Sequence, residues 1–142
     1  MSKPNFKVFI LEDDEWYNKL LAHTASLNPD FIVKSFFSVA EFNKALKEKP
    51  DVVTVDYRLP DGNGEEVLDH IKSTLPDCEV IVISEQENIE TAITLLKKGA
   101  YDYLVKEKTI KDHLLSVLNN LYKNAGLKSR VEYLEVELKK KH

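Results

Sequence analysis

Val52-Val53-Thr54-Val55-Asp56-Tyr57-Arg58-Leu59-Pro60-Asp61-Gly62-Asn63-Gly64 is the stretch on which the fold turns. Its first four residues are all β-branched and almost continuously apolar, so they read as a strand covered on both faces. An acid follows at once, and then Pro60 and two glycines impose a shaped loop. Strands of this kind belong to parallel sheets with helices on either side, and such sheets bind ligands outside their carboxyl ends. Asp56 is therefore expected with its backbone anchored and its side chain facing a cleft.

The same pattern repeats on both sides of this stretch. Short β-rich runs at residues 8–11, 31–36, 80–83 and 101–105 alternate with segments of helical spacing. Val67, Leu68, Ile71 and Leu75 share one helix face, as do Ile89, Ala92, Ile93 and Leu96. Ile110, Leu114, Val117, Leu118 and Leu121 share another. Asn28-Pro29, Pro50, Pro76 and Gly99 separate the elements. Five strands alternating with five helices, connected right-handedly, predict a three-layer α/β sandwich.

A length of 142 residues allows one domain with a proper core and a short appendage. Hydrophobic residues at 43% and charged residues at 31% are ordinary for a soluble globular chain. A net charge of −4 argues against a general trap for nucleic acid or anionic membrane. Cys78, the single cysteine, cannot form an internal disulfide, so nothing calls for an oxidising compartment. No stretch approaches the roughly 20 apolar residues of a membrane span. A soluble, cytoplasmic protein without membrane contact is expected.

Beyond about Tyr122 the character changes. Asn124-Ala125-Gly126 is expected to loosen the last helix, and Leu127, Val131, Leu134 and Leu138 then recur at spacings of four, three and four. That narrow seam, under two full heptads, fits a helix that docks on its own domain. It equally fits a signalling helix that pairs with a second copy, or a linker to an effector domain beyond residue 142. A division into residues 1–124 and a helical extension or linker at 125–142 follows.

The chemistry should sit at the strand ends. The first strand ends in Glu12-Asp13-Asp14-Glu15, the third in Asp56, the fourth in Ser84 and the fifth in Lys106. Four consecutive acids repel one another unless something neutralises them. Asp14 and Glu15 suit a helix start, where carboxylates cap amides. Glu12, Asp13 and Asp56 make a set of hard oxygen ligands suited to Mg²⁺, and Arg58 can add its main-chain carbonyl. The Asp56 carboxylate can attack phosphorus to give an acyl phosphate. Lys106 would supply a point charge to a phosphate oxygen and Ser84 a hydrogen bond to another.

These residues resemble the receiver domains of two-component response regulators. The likeness rests on Ile10-Leu11-Glu12-Asp13-Asp14-Glu15, on Val55-Asp56-Tyr57-Arg58-Leu59-Pro60 with Gly64, on Val82-Ile83-Ser84, and on Lys98-Gly99-Ala100-Tyr101-Asp102-Tyr103-Leu104-Val105-Lys106. It spans residues of about 8 to 122. Each motif alone is weak; in this order, on these strand ends, they are highly specific. The resemblance implies a flavodoxin-like doubly wound sheet of order 2-1-3-4-5. It implies that Asp56 accepts a phosphoryl group from a sensor histidine kinase or phosphotransfer protein, with Mg²⁺ held by Glu12, Asp13, Asp56 and the Arg58 carbonyl. Lys106 and Ser84 would bind the phosphoryl oxygens, and Tyr103 with Ser84 would form the switch. Such a chain is a phosphoacceptor rather than a dedicated enzyme. Self-association through the last two helices and strand five is a further expectation.

Two positions depart from the family pattern. Glu85, followed by Gln86, stands where a small residue is usual after Ser84, and Glu107 stands where proline usually follows the lysine. A non-proline cis bond costs about 3 kcal/mol, so the Lys106–Glu107 bond is expected to be trans. Rival readings fare worse. A receiver fold kept only for phosphorylation-independent protein contacts would not need the whole chemical set. A flavin carrier would want a hydroxyl- and glycine-rich loop after strand one, where four acids stand. An aspartate-nucleophile phosphatase usually places its nucleophile on strand one. Basic residues of the tail alternate with Glu132, Glu135 and Glu137, and no helix-turn-helix segment follows, so direct nucleic-acid binding is not expected in this segment. Similar leucine-bearing tails join receivers to AAA+ transcription activators.

Overall fold

The computed structural model of the chain describes residues 6–140; residues 1–5 and 141–142, at the ends of the two segments expected above, lie outside the described residues. Five strands make the main sheet: β1 (Phe6–Leu11), β2 (Phe31–Phe36), β3 (Val52–Asp56), β4 (Glu79–Ser84) and β5 (Asp102–Val105). All pair in parallel, in the order 2-1-3-4-5. The helices are α1 (Glu15–Ala25), α2 (Val39–Ala45), α3 (Gly64–Thr74), α4 (Ile89–Lys97) and α5 (Ile110–Lys140). The doubly wound sheet read from the sequence is the fold observed.

Strand parity divides the core. Phe6, Val8, Ile10, Val52, Ile81, Ile83 and Leu104 pack against Leu21 and Ala25 of α1 and Ile110, Leu114, Leu118 and Leu121 of α5. Their neighbours Phe9, Leu11, Val53, Val55, Val80 and Val82 face α2, α3 and α4. This is why β1, β3 and β4 read as continuous apolar runs: every residue has a layer to enter. Burying side chains of this size contributes about 1.5–3 kcal/mol each.

The helices near the strand ends start on side-chain caps, as their first residues predict. Asp14, Ser38, Asn63 and Asn88 accept from the amides of Tyr17, Glu41, Glu66 and Thr91. Gly99 closes α4 with φ of 109°, a conformation open to glycine and strained for other residues. Helix α4 is lightly held: Leu95 is its one buried residue, while Ile89, Ile93 and Leu96 are exposed.

One local expectation fails. Asn124-Ala125-Gly126 does not interrupt the last helix, and α5 runs unbroken for 31 residues. A single glycine costs a helix only about 1 kcal/mol against alanine, which the docked turns before it outweigh. Among the described residues, no helix is long and apolar enough to cross a membrane.

Candidate functional site

Register brings the strand ends together. Leu11 lies level with Val55, so Glu12 follows beside Asp56. Ser84 lies level with Val105, and the Lys106 amide donates to the Ser84 carbonyl at 2.8 Å. Parity then sorts the side chains. Glu12, Asp56 and Lys106 continue the rows that face α1 and α5, whereas Ser84 and Tyr103 continue the rows that face α3 and α4.

The side chains converge on a cleft of about 340 Å³ that also exposes Asp13 and Arg58. Glu12, Asp13 and Asp56 each offer a carboxylate oxygen, all within 4.8 Å of one another. Lys106 Nζ lies 2.6 Å from Glu12 Oε1 and 3.5 Å from Asp56 Oδ2. The Asp14 amide donates to Glu12 Oε2 at 3.1 Å, and the Arg58 amide to Asp56 Oδ1 at 3.4 Å. A larger cavity, about 460 Å³, lies at the other end of the sheet; among the described residues its carboxylates do not converge as Glu12, Asp13 and Asp56 do.

Electrostatics matches this crowding. Burial, reinforced by the neighbouring Glu12 carboxylate, pushes the Asp56 carboxyl up to about 8. Burial works against charge on Lys106, but Glu12 and Asp56 outweigh it and hold the ammonium above its usual range. The cluster thus carries more negative charge than one lysine relieves. Its oxygens lie within 4.8 Å of one another, the scale on which ligands surround Mg²⁺ at about 2.0–2.1 Å each, and Asp13 is open to water. The residues fit a hydrated divalent cation.

Ser84 Oγ does not point at Asp56. It donates to the Gln86 carbonyl at 3.1 Å, and Tyr103 Oη donates to the same carbonyl at 2.8 Å. One backbone acceptor therefore holds both hydroxyls. Arg58 opens a two-residue ladder with Asn63, and it is exposed. Among the described residues no peptide is cis, so the Lys106–Glu107 bond is trans as expected.

Three participants escaped the sequence reading. Tyr17, in the first turn of α1, puts its ring 4.5 Å from Lys106 Nζ. Buried Asn18 clamps the end of β1 to β2 by donating to the carbonyls of Glu12 and Phe36 at 2.9 and 3.1 Å. Asp61 accepts from the Val39 and Ala40 amides at 3.0 and 3.2 Å, tying the loop after Asp56 to α2. Tyr17 and Asn18 had a signal: the first turn of a helix capped by Asp14 must lie over the strand ends. Asp61 had none, because its partners lie 22 and 21 residues away.

The family model described as the response regulator receiver domain matches residues 8–119. The chain belongs to that family. Relatives agree: this receiver is 36% identical over 100 residues to the photosynthetic apparatus regulatory protein RegA of Cereibacter sphaeroides, covering 70% of the chain and 54% of that protein. It is 34% identical over 116 residues to the acid tolerance regulatory protein ActR of Rhizobium meliloti, covering 81% and 59%. The chain thus spans just over half the length of these curated relatives. Among solved structures, the BeF3-activated DrrB receiver domain superposes with a TM-score of 0.76 at 27% identity, over 84% of this chain and 98% of that one. As a receiver domain the chain is placed in two-component signal transduction.

Proposed function

We propose that Asp56 is the phosphoacceptor of this receiver, taking a phosphoryl group from a phosphohistidine on a sensor kinase or phosphotransfer protein. The convergence of Glu12, Asp13, Asp56 and Lys106 at the carboxyl ends of three strands supports this reading most strongly. An Asp56 carboxylate oxygen forms a bond to phosphorus as the phosphorus–nitrogen bond breaks, and the imidazole leaves carrying that electron pair. Glu12, Asp13, Asp56 and the Arg58 carbonyl would hold Mg²⁺, which offsets phosphoryl charge when bound. Lys106 exchanges part of its contact with Glu12 for a phosphoryl oxygen.

Switching follows from the shared acceptor. A Ser84 hydroxyl that turns to the phosphoryl group releases the Gln86 carbonyl to Tyr103 alone. This favours one arrangement of the loop before α4 and of the face formed by α4, β5 and α5. Exposed Ile89, Ile93 and Leu96 give that face an apolar stripe suited to a phosphorylation-dependent partner, a second copy included. We assign residues 1–124 to the receiver and 125–142 to an extension that would carry the signal onward in a cytoplasmic regulator.

The test is incubation with acetyl phosphate or phosphoramidate and Mg²⁺, followed by intact mass. A gain of one phosphoryl group, absent in Asp56→Asn and after chelation, is expected. No gain in the unaltered chain under any condition would favour a module kept for protein contacts alone.

A further inference from the structure

We propose that the outer end of α5 pairs antiparallel with the same segment of a second copy. The pairing seats the basic end of each helix beside the acidic foot of the other copy's sheet.

Leu127, Val131, Leu134 and Leu138 are 64, 51, 49 and 60% exposed, an apolar seam that no described residue of the chain covers. Their spacing places Val131 and Leu138 at heptad position a and Leu127 and Leu134 at d. Under two heptads of seam do not choose an orientation by themselves; the flanking charges do. In a parallel, in-register pair, Arg130 would face Glu135 of the second copy, but Lys123 would face its Lys128. In an antiparallel pair, Val131 packs on Leu134 and Leu127 on Leu138. Arg130 then meets Glu137 and Lys128 meets Glu135, each contact made twice by symmetry, with no like charges opposed. Glu137 already has Lys140 at 3.5 Å within its own helix, so Arg130 would join an exposed network there.

The foot of the sheet supports the same orientation. Where α5 overhangs the amino ends of β3 and β4, a cavity of about 460 Å³ is lined by Asp51, Asp77, Glu79, Glu132 and Lys128, with Lys72 reaching Glu79 at 3.4 Å. The antiparallel register sets Lys139, which shares the flank of Lys128 and Glu132, level with Gly126 of the second copy, next to Ala125 of the cavity lining. The seam lies about a quarter turn around the helix from the cavity-lining stripe. The second helix therefore lies beside the cavity, and the Lys139 side chain bridges the gap. In a parallel pair the same lysine would end about 20 Å away along the helix.

Cysteine trapping in the full chain decides the orientation. Leu127→Cys and Leu138→Cys, mixed and mildly oxidised, are expected to form a mixed disulfide dimer, while neither variant alone does, its own copies lying about 16 Å apart along the antiparallel pair. Buried Cys78, its thiol pushed up to about 12, adds no background. Ready dimerisation of each variant alone would show a parallel pair, and no disulfide in the mixture would show that the seam is not a self-contact; either overturns the proposal. Sedimentation then tests the charges. Glu137→Arg should weaken association about tenfold or more, and adding Arg130→Glu should restore it. Lys139→Glu should also weaken it, and unchanged association would remove the contact with the foot. Asp56→Asn should pair like the unaltered chain, so these outcomes stand apart from phosphoryl transfer.

Discussion

The Lys106 ammonium sits nearer to Glu12, at 2.6 Å, than to Asp56, at 3.5 Å. The cation that should serve the phosphoryl group is held by a carboxylate that should serve the metal. Mg²⁺ and Lys106 therefore compete for Glu12. Lys106→Met is expected to tighten Mg²⁺ binding by roughly tenfold, about 1.4 kcal/mol, because it removes a positive neighbour. The same change should slow phosphorylation by acetyl phosphate about a hundredfold or more, because a charge-stabilising donor is lost. Metal titration and intact-mass kinetics on one sample check both, and a parallel fall in the two quantities would contradict the competition.

Asp56 makes the metal-free fold sensitive to alkali. Its carboxyl is pushed up to about 8 in the folded chain, so the folded state holds a proton that the unfolded state releases near pH 4. The associated stability is complete below about pH 4 and is lost as pH rises toward 8. In chelator, thermal unfolding should show that decline, and Asp56→Asn should flatten it. The variant should gain on the order of 1–3 kcal/mol at pH 8 after allowance for solvent screening. Mg²⁺ should restore much of the loss in the unaltered chain.

Gly64 is fixed by space rather than by its dihedral angles. A Cβ there would sit 3.0 Å from Tyr57 Cα and 3.2 Å from the Asp56 carbonyl oxygen, both backbone atoms. Gly64→Ala should cost about 1–3 kcal/mol in denaturant unfolding. It should also slow phosphorylation, since the strain falls on Asp56, the proposed phosphoacceptor. Unaltered stability would mean that α3 shifts freely.

Tyr17 offers a separation of ring from hydroxyl. The ring faces Lys106, but Oη is buried without a hydrogen-bond partner among the described residues. Tyr17→Phe should be neutral or stabilising by up to about 1 kcal/mol, because an unpaired polar atom is removed. Tyr17→Leu should destabilise and alter phosphorylation kinetics through the released lysine. Equal behaviour of the two variants would deny the ring any role.

Much of this protein was legible because two periodicities carry the information. The doubled apolar rows of β1, β3 and β4 announce a sheet covered on both sides, and a strand that ends in an acid announces where chemistry must lie. Glu12, Asp13, Asp56, Ser84, Tyr103 and Lys106 all stand around the cleft so located. What stayed hidden depends on side-chain direction and on distant partners. Ser84 turns to Gln86 rather than to Asp56, Tyr17 leans over Lys106, and Asp61 reaches a helix laid down much earlier in the chain. Local composition also misled at Asn124-Ala125-Gly126, where the helix continues because residues already docked on the sheet carry it through.

The light anchoring of α4 has an evolutionary consequence. With Leu95 buried and Thr91 and Ala92 half-buried, the outward positions Ile89, Ile93 and Leu96 answer to little packing constraint. Those outer letters can be rewritten to suit a new partner without touching Glu12, Asp13, Asp56 or Lys106, which stand on other elements.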